Sequence, residues 1–128
     1  MTDTSAPVIS IVDDNESFRR ATAGLIKSLG YAAVSFCSAE EFLRSERLDE
    51  TACLISDVQM PGMSGIELQS RLAIRGHRLP IIFVTAYPES NVRQQALASG
   101  ALGFLNKPFS EQELAAWVKL LRKALTPP

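Results

Sequence analysis

Short apolar, β-branched runs alternating with longer stretches of helical period predict a doubly wound α/β fold, with five parallel strands covered by five helices. Two further observations support that class. Glycine, proline or a capping residue punctuates nearly every boundary between the two kinds of run. The composition, 46% hydrophobic and 21% charged, is ordinary for a chain that folds around a core. A length of 128 residues fits one domain and encloses that core without disulfide or metal staples.

The elements follow in order. Val8 to Val12 is the first strand, apolar except for Ser10. After Asn15, the residues Phe18, Ala21, Leu25 and Leu29 recur at helical spacing, and Gly30 ends that helix as a C′ glycine. Ala32 to Phe36 is the second strand. Ser38 with Glu41 then forms a capping box that opens a short helix through Phe42 and Leu43, with its end placed near Asp49. Ala52 to Ser56 is the third strand, followed by a loop holding Pro61, Gly62 and Gly65. Ser64 with Glu67 repeats the capping box, and the helix carrying Ile66, Leu68 and Leu72 closes at Gly76. Pro80 to Thr85 is the fourth strand; Pro88 suits the first turn of a helix that stops at Gly100. That fourth helix has Val92, Ala96 and Leu97 as its main apolar anchors, so its packing should be light. Gly103 to Asn106 is the fifth strand. Ser110 and Glu113 cap a last helix whose stripe is Leu114, Trp117, Val118, Leu121 and Leu125, with Trp117 read as a packing residue. The expected limits are a tail at 1–6, the domain at 7–125, and a tail or linker start at 126–128, where Thr126, Pro127 and Pro128 end the order. There are no internal repeats.

Thirteen basic residues against fourteen acidic ones give a net charge of -1, which offers no electrostatic footprint for nucleic acid or an anionic membrane. The N-terminus lacks the basic and apolar regions of a signal peptide, and no apolar run approaches the roughly 18 residues of a membrane span. A cytoplasmic location is expected. Cys37 and Cys53 lie in apolar stretches with no CxxC, so both are expected to be buried free thiols. His77, between Arg75 and Arg78, is expected to be solvated and is assigned no site.

In a doubly wound sheet the functional crevice lies beyond the carboxyl ends of the strands. There the chain has Asp13 and Asp14 after strand one, Asp57 after strand three, Thr85 at the end of strand four and Lys107 after strand five. The residues do not dictate a strand order. In the flavodoxin-like order 2-1-3-4-5, common to sheets of this class, these four strands are contiguous, and the apolar ending at Phe36 and Cys37 falls on the edge. Strands about 4.8 Å apart bring all the polar endings within reach of one point. Three carboxylates beside one ammonium lack positive charge, since two like charges about 4 Å apart repel by roughly 4 kcal/mol at an effective dielectric of about 20. Magnesium would relieve the excess: it prefers oxygen ligands and is usually held by one or two carboxylates plus a phosphate. An open metal site beside a nucleophilic carboxylate points to phosphoryl transfer, with Lys107 and the Thr85 hydroxyl steadying the equatorial oxygens.

The set Asp13-Asp14, Asp57 followed by Met60-Pro61-Gly62 and Gly65, Thr85-Ala86, and Lys107-Pro108-Phe109 resembles a bacterial two-component response-regulator receiver domain. The stretches Asp57 to Leu68 and Leu79 to Thr85 are similar to receivers of the nitrogen-fixation regulator type, which usually precede a LuxR-type helix-turn-helix domain. The resemblance spans nearly the whole chain. It implies that a sensor histidine kinase donates a phosphoryl group to Asp57, with Asp13, Asp14, Asp57 and the Gln59 carbonyl arranging magnesium and Asp14 the more direct ligand. Lys107 would pair with a phosphoryl oxygen, and its bond to Pro108 is cis in many relatives. Thr85 would be drawn toward the phosphoryl group and Phe104 would rotate inward behind it. Helix four, strand five and helix five would then change as a surface read by an output domain or effector protein, with transcription control as the expected output and a phosphorylation-dependent homodimer as one form. Gln59 and Tyr87 stand where water access to the acyl phosphate could be controlled.

Each reading has a competitor. Asp13 or Asp14 could cap helix one, Thr85 and Lys107 could be ordinary loop residues, and Phe104 could be a plain core phenylalanine. A phosphohydrolase of the haloacid-dehalogenase kind would place a second Asp two residues after the nucleophile, whereas Val58 and Gln59 follow Asp57. A nucleotide or flavin binder would carry GxGxxG or a P-loop after the first strand, and neither is present. An interaction domain that keeps only the fold would not need the acidic, hydroxyl and lysine set.

Overall fold

A computed structural model of the chain describes residues 7–86 and 90–125, without the side chains of Ser90 and of 121–125. Five strands, β1 (Val8–Val12), β2 (Ala32–Phe36), β3 (Thr51–Asp57), β4 (Ile81–Thr85) and β5 (Gly103–Asn106), alternate with helices α1 (Glu16–Ser28), α2 (Ala39–Leu43), α3 (Gly65–Ile74), α4 (Ser90–Ala98) and α5 (Glu111–Leu125). All strand pairs are parallel and the order is β2-β1-β3-β4-β5. The flavodoxin-like class and order expected from the sequence are those observed.

Alternation along the strands divides the core in two. Ile9, Ile11, Ile55, Ile82, Val84 and Leu105 meet Ile26 of α1 and Leu114 and Val118 of α5 on one face. Val12, Phe36, Leu54, Ile81 and Phe83 meet Phe42, Leu68, Leu72 and Ala96 on the other. A strand covered on both faces has no polar side to show, hence runs such as Ile81–Val84. The buried hydroxyls of Ser10 and Thr51 satisfy each other at 2.7 Å.

Helix ends follow the capping residues. Asn15, Ser38 and Ser64 each accept a backbone N–H of the first turn, and Ser110 and Glu113 exchange reciprocal bonds of 3.1 Å. Gly30, Gly76 and Gly100, just past the ends of α1, α3 and α4, have positive φ, as C′ glycines do.

Several local expectations are corrected. Cys53 is buried, and burial pushes its thiol up to about 12, but Cys37 is exposed. It is the first residue beyond β2, where the chain turns outward into the Ser38 cap, and its Sγ lies 3.2 Å from Glu41 Oε2. The buried line of α1 is centred on Thr22 and Ile26; Ala21 is exposed and Leu25 half-buried. Reading apolar type alone passed over Thr22, which is buried. Helix α2 stops at Leu43, because Ser45 turns the chain by accepting the Arg47 N–H, and a 3-10 turn at Leu48–Glu50 buries Leu48 instead. Leu97 is 43% exposed, which leaves Ala96 as the one fully buried residue described on α4. The packing role read for Trp117 is, by contrast, observed: it is half-buried against the core with its ring on Gly103, where a Cβ would collide with it. The expectations at Tyr87, Pro88, the tails 1–6 and 126–128, and the Leu121 and Leu125 side chains lie outside the described residues.

Candidate functional site

The carboxyl ends of the four contiguous strands form the site. Asp57 closes β3, Asp13 and Asp14 follow β1, Thr85 ends β4 and Lys107 follows β5. Carboxylate oxygens of Asp13, Asp14 and Asp57 all lie within 4.8 Å of one another. Lys107 Nζ donates to Asp13 Oδ2 at 2.8 Å and to Asp57 Oδ2 at 3.3 Å.

Backbone bonds fix each group. The N–H of Asp13 donates to Phe36 O on β2, and its Oδ1 accepts the Asn15 N–H at 2.8 Å. Asn15, not Asp13 or Asp14, caps α1, so capping does not explain the acidic pair. Asp13 is 1% exposed and already engaged through both oxygens, while Asp14 is exposed. Asp57 Oδ1 accepts the Gln59 N–H at 3.2 Å. Gly65 must be glycine, because a Cβ there would strike the backbone oxygen of Asp57. The N–H of Lys107 donates to Thr85 O at 2.8 Å, binding the ammonium-bearing and hydroxyl-bearing residues into one ladder. Thr85 is buried. The Lys107–Pro108 bond is cis.

The electrostatics are unbalanced. Burial holds the Asp57 carboxyl above the usual aspartate range, and the nearby Asp13 charge adds to this, against the opposing pull of Lys107. For Lys107, burial is the largest single influence and acts downward, but hydrogen bonds and charges from Asp13 and Asp57 together hold it above the usual lysine value. This surplus of negative charge on an all-oxygen donor set fits a hard divalent cation such as magnesium. Asp14, Asp57 and the Gln59 segment would be its nearest protein ligands.

Two residues near the site were not anticipated. Phe18 of α1 was read as core, yet Lys107 Nζ sits 4.1 Å from its ring centroid, and Phe109 meets the same ring edge-on at 5.5 Å. An aromatic residue one turn into the helix that follows an acidic pair was the available signal. Arg19 donates to Asp13 O at 2.7 Å. Phe104 is not among the charged groups: it is half-buried on the α3–α4 face, 5.5 Å from Phe83. Gln59 reaches Asp57 through its N–H.

The chain is similar to known proteins. A family model described as response regulator receiver domain matches residues 9–119. Nodulation protein W of Bradyrhizobium diazoefficiens is 41% identical over 107 residues, covering 84% of this chain and 47% of that protein. Transcriptional regulatory protein FixJ of Azorhizobium caulinodans is 33% identical over 111 residues, covering 87% of this chain and 53% of that one. The chain thus spans about half the length of these curated relatives. The crystal structure of a response regulator receiver protein from Pseudoalteromonas atlantica superposes with a TM-score of 0.86 at 30% identity, over 94% of this chain and 100% of the other.

Proposed function

The chain belongs to the response regulator receiver domain family, and on that footing we propose that Asp57 accepts a phosphoryl group from a sensor histidine kinase. The family is one of signalling domains, not of metabolic enzymes. The observation that carries the reading is the convergence of Asp57 with Asp13, Asp14 and Lys107 at the open end of the sheet.

In the transfer an Asp57 carboxylate oxygen forms a bond to phosphorus while the P–N bond to the kinase imidazole breaks and its electron pair returns to the ring nitrogen. Lys107 pairs with a phosphoryl oxygen in place of the Asp57 oxygen that it now contacts. The Gln59 N–H donates at the acceptor carboxylate, and the Thr85 hydroxyl takes a second equatorial oxygen. Magnesium would be held by Asp14, Asp57 and the Gln59 carbonyl with Asp13 beside them, and would supply positive charge to the same group. Water attack at phosphorus later regenerates the carboxylate and frees inorganic phosphate.

The switch follows from the ladder. Thr85 moves toward the phosphoryl group, Phe104 turns into the space behind it, and α4, β5 and α5 present an altered surface. Light packing of α4 supports this, with Ala96 its one fully buried side chain among the described residues. The reader of that surface is an output domain or effector protein, with transcription control as the output by analogy with the FixJ relative, and a homodimer formed on phosphorylation is one form of the response. Residues 7–125 are assigned to the receiver. The setting is cytoplasmic; no helix among the described residues is long and apolar enough to cross a membrane.

Incubation with a small phosphodonor and magnesium is expected to add one phosphoryl group per chain, labile to hydroxylamine, by intact-mass spectrometry. Asp57→Asn abolishes it. Label that persists in the Asn variant means that the acceptor lies elsewhere.

A further inference from the structure

The loop between β3 and α3 carries Gln59 past Asp57, and hydrogen bonds hold it at both ends and in the middle; at its start the Val58 N–H donates to Val84 O of β4 at 3.0 Å. The Gln59 N–H donates to Asp57 Oδ1 at 3.2 Å and the Gly65 N–H to Val58 O at 2.9 Å, both within the β3–α3 segment. Farther along, a side chain of another element takes hold: Glu40, in the first turn of α2, accepts the Met63 N–H on Oε2 at 3.1 Å across 23 residues of sequence.

The fit around that carboxylate is close. Gly62 has φ +77, and a Cβ there would come within 2.6 Å of Glu40 Oε2, so the backbone passes directly against the acid. Glu40 Oε1 is shielded from solvent and accepts no hydrogen bond, which leaves Oε2 as the oxygen that makes the tie. The carboxyl is held below the usual range because its own N–H and that of Met63 favour the ionised form. Glu40 touches none of the groups that meet phosphorus. Its effect reaches them through four residues of loop.

We propose that Glu40 is a positioning residue: by holding Met63, it fixes the loop that presents Gln59 to Asp57 and so sets the rate at which Asp57 gains a phosphoryl group. This rests on Asp57 being the acceptor. Removal of the tie leaves the site intact in composition but lets the Gln59 N–H drift from the reacting carboxylate, and small misplacements cost rate more than binding.

The test compares wild type with Glu40→Ala, Glu40→Gln and Gly62→Ala, and reads amide exchange across 58–64, the Tm, and the labelling rate at saturating phosphodonor and magnesium. Glu40→Ala is expected to speed exchange in that segment and slow maximal labelling by roughly three- to tenfold, with the half-saturating phosphodonor concentration unchanged. Glu40→Gln retains an oxygen acceptor and recovers most of the rate. In Glu40→Ala/Gly62→Ala the loss is smaller than the two single losses combined, because removal of the carboxylate removes the collision. Unchanged exchange or unchanged labelling in a folded Glu40→Ala protein overturns the proposal alone. Failure of the wild-type chain to be labelled overturns the acceptor reading, and this proposal with it.

Discussion

Asp57, the proposed acceptor, illustrates at the level of one residue how a buried carboxyl costs stability. Its carboxyl is held above the usual range by burial and by Asp13, so the native state binds the proton more firmly than the unfolded chain. The stabilisation this gives is complete below the ordinary aspartate value and disappears as pH rises through the raised native one. At neutral pH the ionised group therefore weighs against folding, and asparagine, which cannot ionise, does not. Without divalent cations, Asp57→Asn is expected to melt above wild type at about pH 7.5, with the gap narrowing toward about pH 4; equal Tm values at both pH values contradict the stated cause. The acidic, hydroxyl and lysine positions were legible in the sequence because each stands at or just past a strand end, where apolar character stops abruptly. Phe18 beneath Lys107 and Glu40 against Met63 were not. Each acts across elements; the position of Phe18 one turn past the acidic pair was its one local signal, and Glu40 had none.

At the level of elements, α4 is held by few contacts, and one of them is polar. The Ala96 carbonyl accepts both the Ala101 N–H at 3.0 Å and the buried Gln69 Nε2 at 3.1 Å, so α3 holds α4 near its carboxyl end. Gln69→Leu keeps the bulk and removes the donor, a loss of about 1 kcal/mol for one such bond. Amide exchange across 90–100 should then quicken about fivefold, while exchange in β1 and β3 stays unchanged; α4 exchange at the wild-type rate would show that its packing on Val92 and Ala96 suffices. The expectation of light packing was drawn from composition, and the exposure of Leu97 makes the helix lighter still. The α1 stripe was rotated in the sequence reading because threonine is polar by type and apolar by shape. Strand ends moved by a residue, as when β3 gains Thr51 and Asp57, since pairing with the neighbouring strands sets those limits.

For the whole molecule, a cation that binds only the folded chain stabilises it by mass action. Magnesium at about 100 times its dissociation constant contributes about 2.7 kcal/mol and should raise the Tm by several degrees. Asp14→Asn and Asp57→Asn should each lose most of that rise; a wild-type Tm indifferent to millimolar magnesium would remove the metal from the reading. The global fold was the most legible part of the chain, because period and punctuation repeat five times and each error stays local. Strand order did not follow from the residues alone. Sheet pairing brings Lys107 to Thr85, and the bond between the Lys107 N–H and the Thr85 carbonyl spans everything in between. Chain that leaves the sheet after Thr85 rejoins it at Gly103, and it is the pairing of β4 with β5, not the backbone between them, that holds Thr85 and Lys107 together. On the proposed reading, changes in α4 would alter the face offered to a partner and leave the strand-end cluster in place.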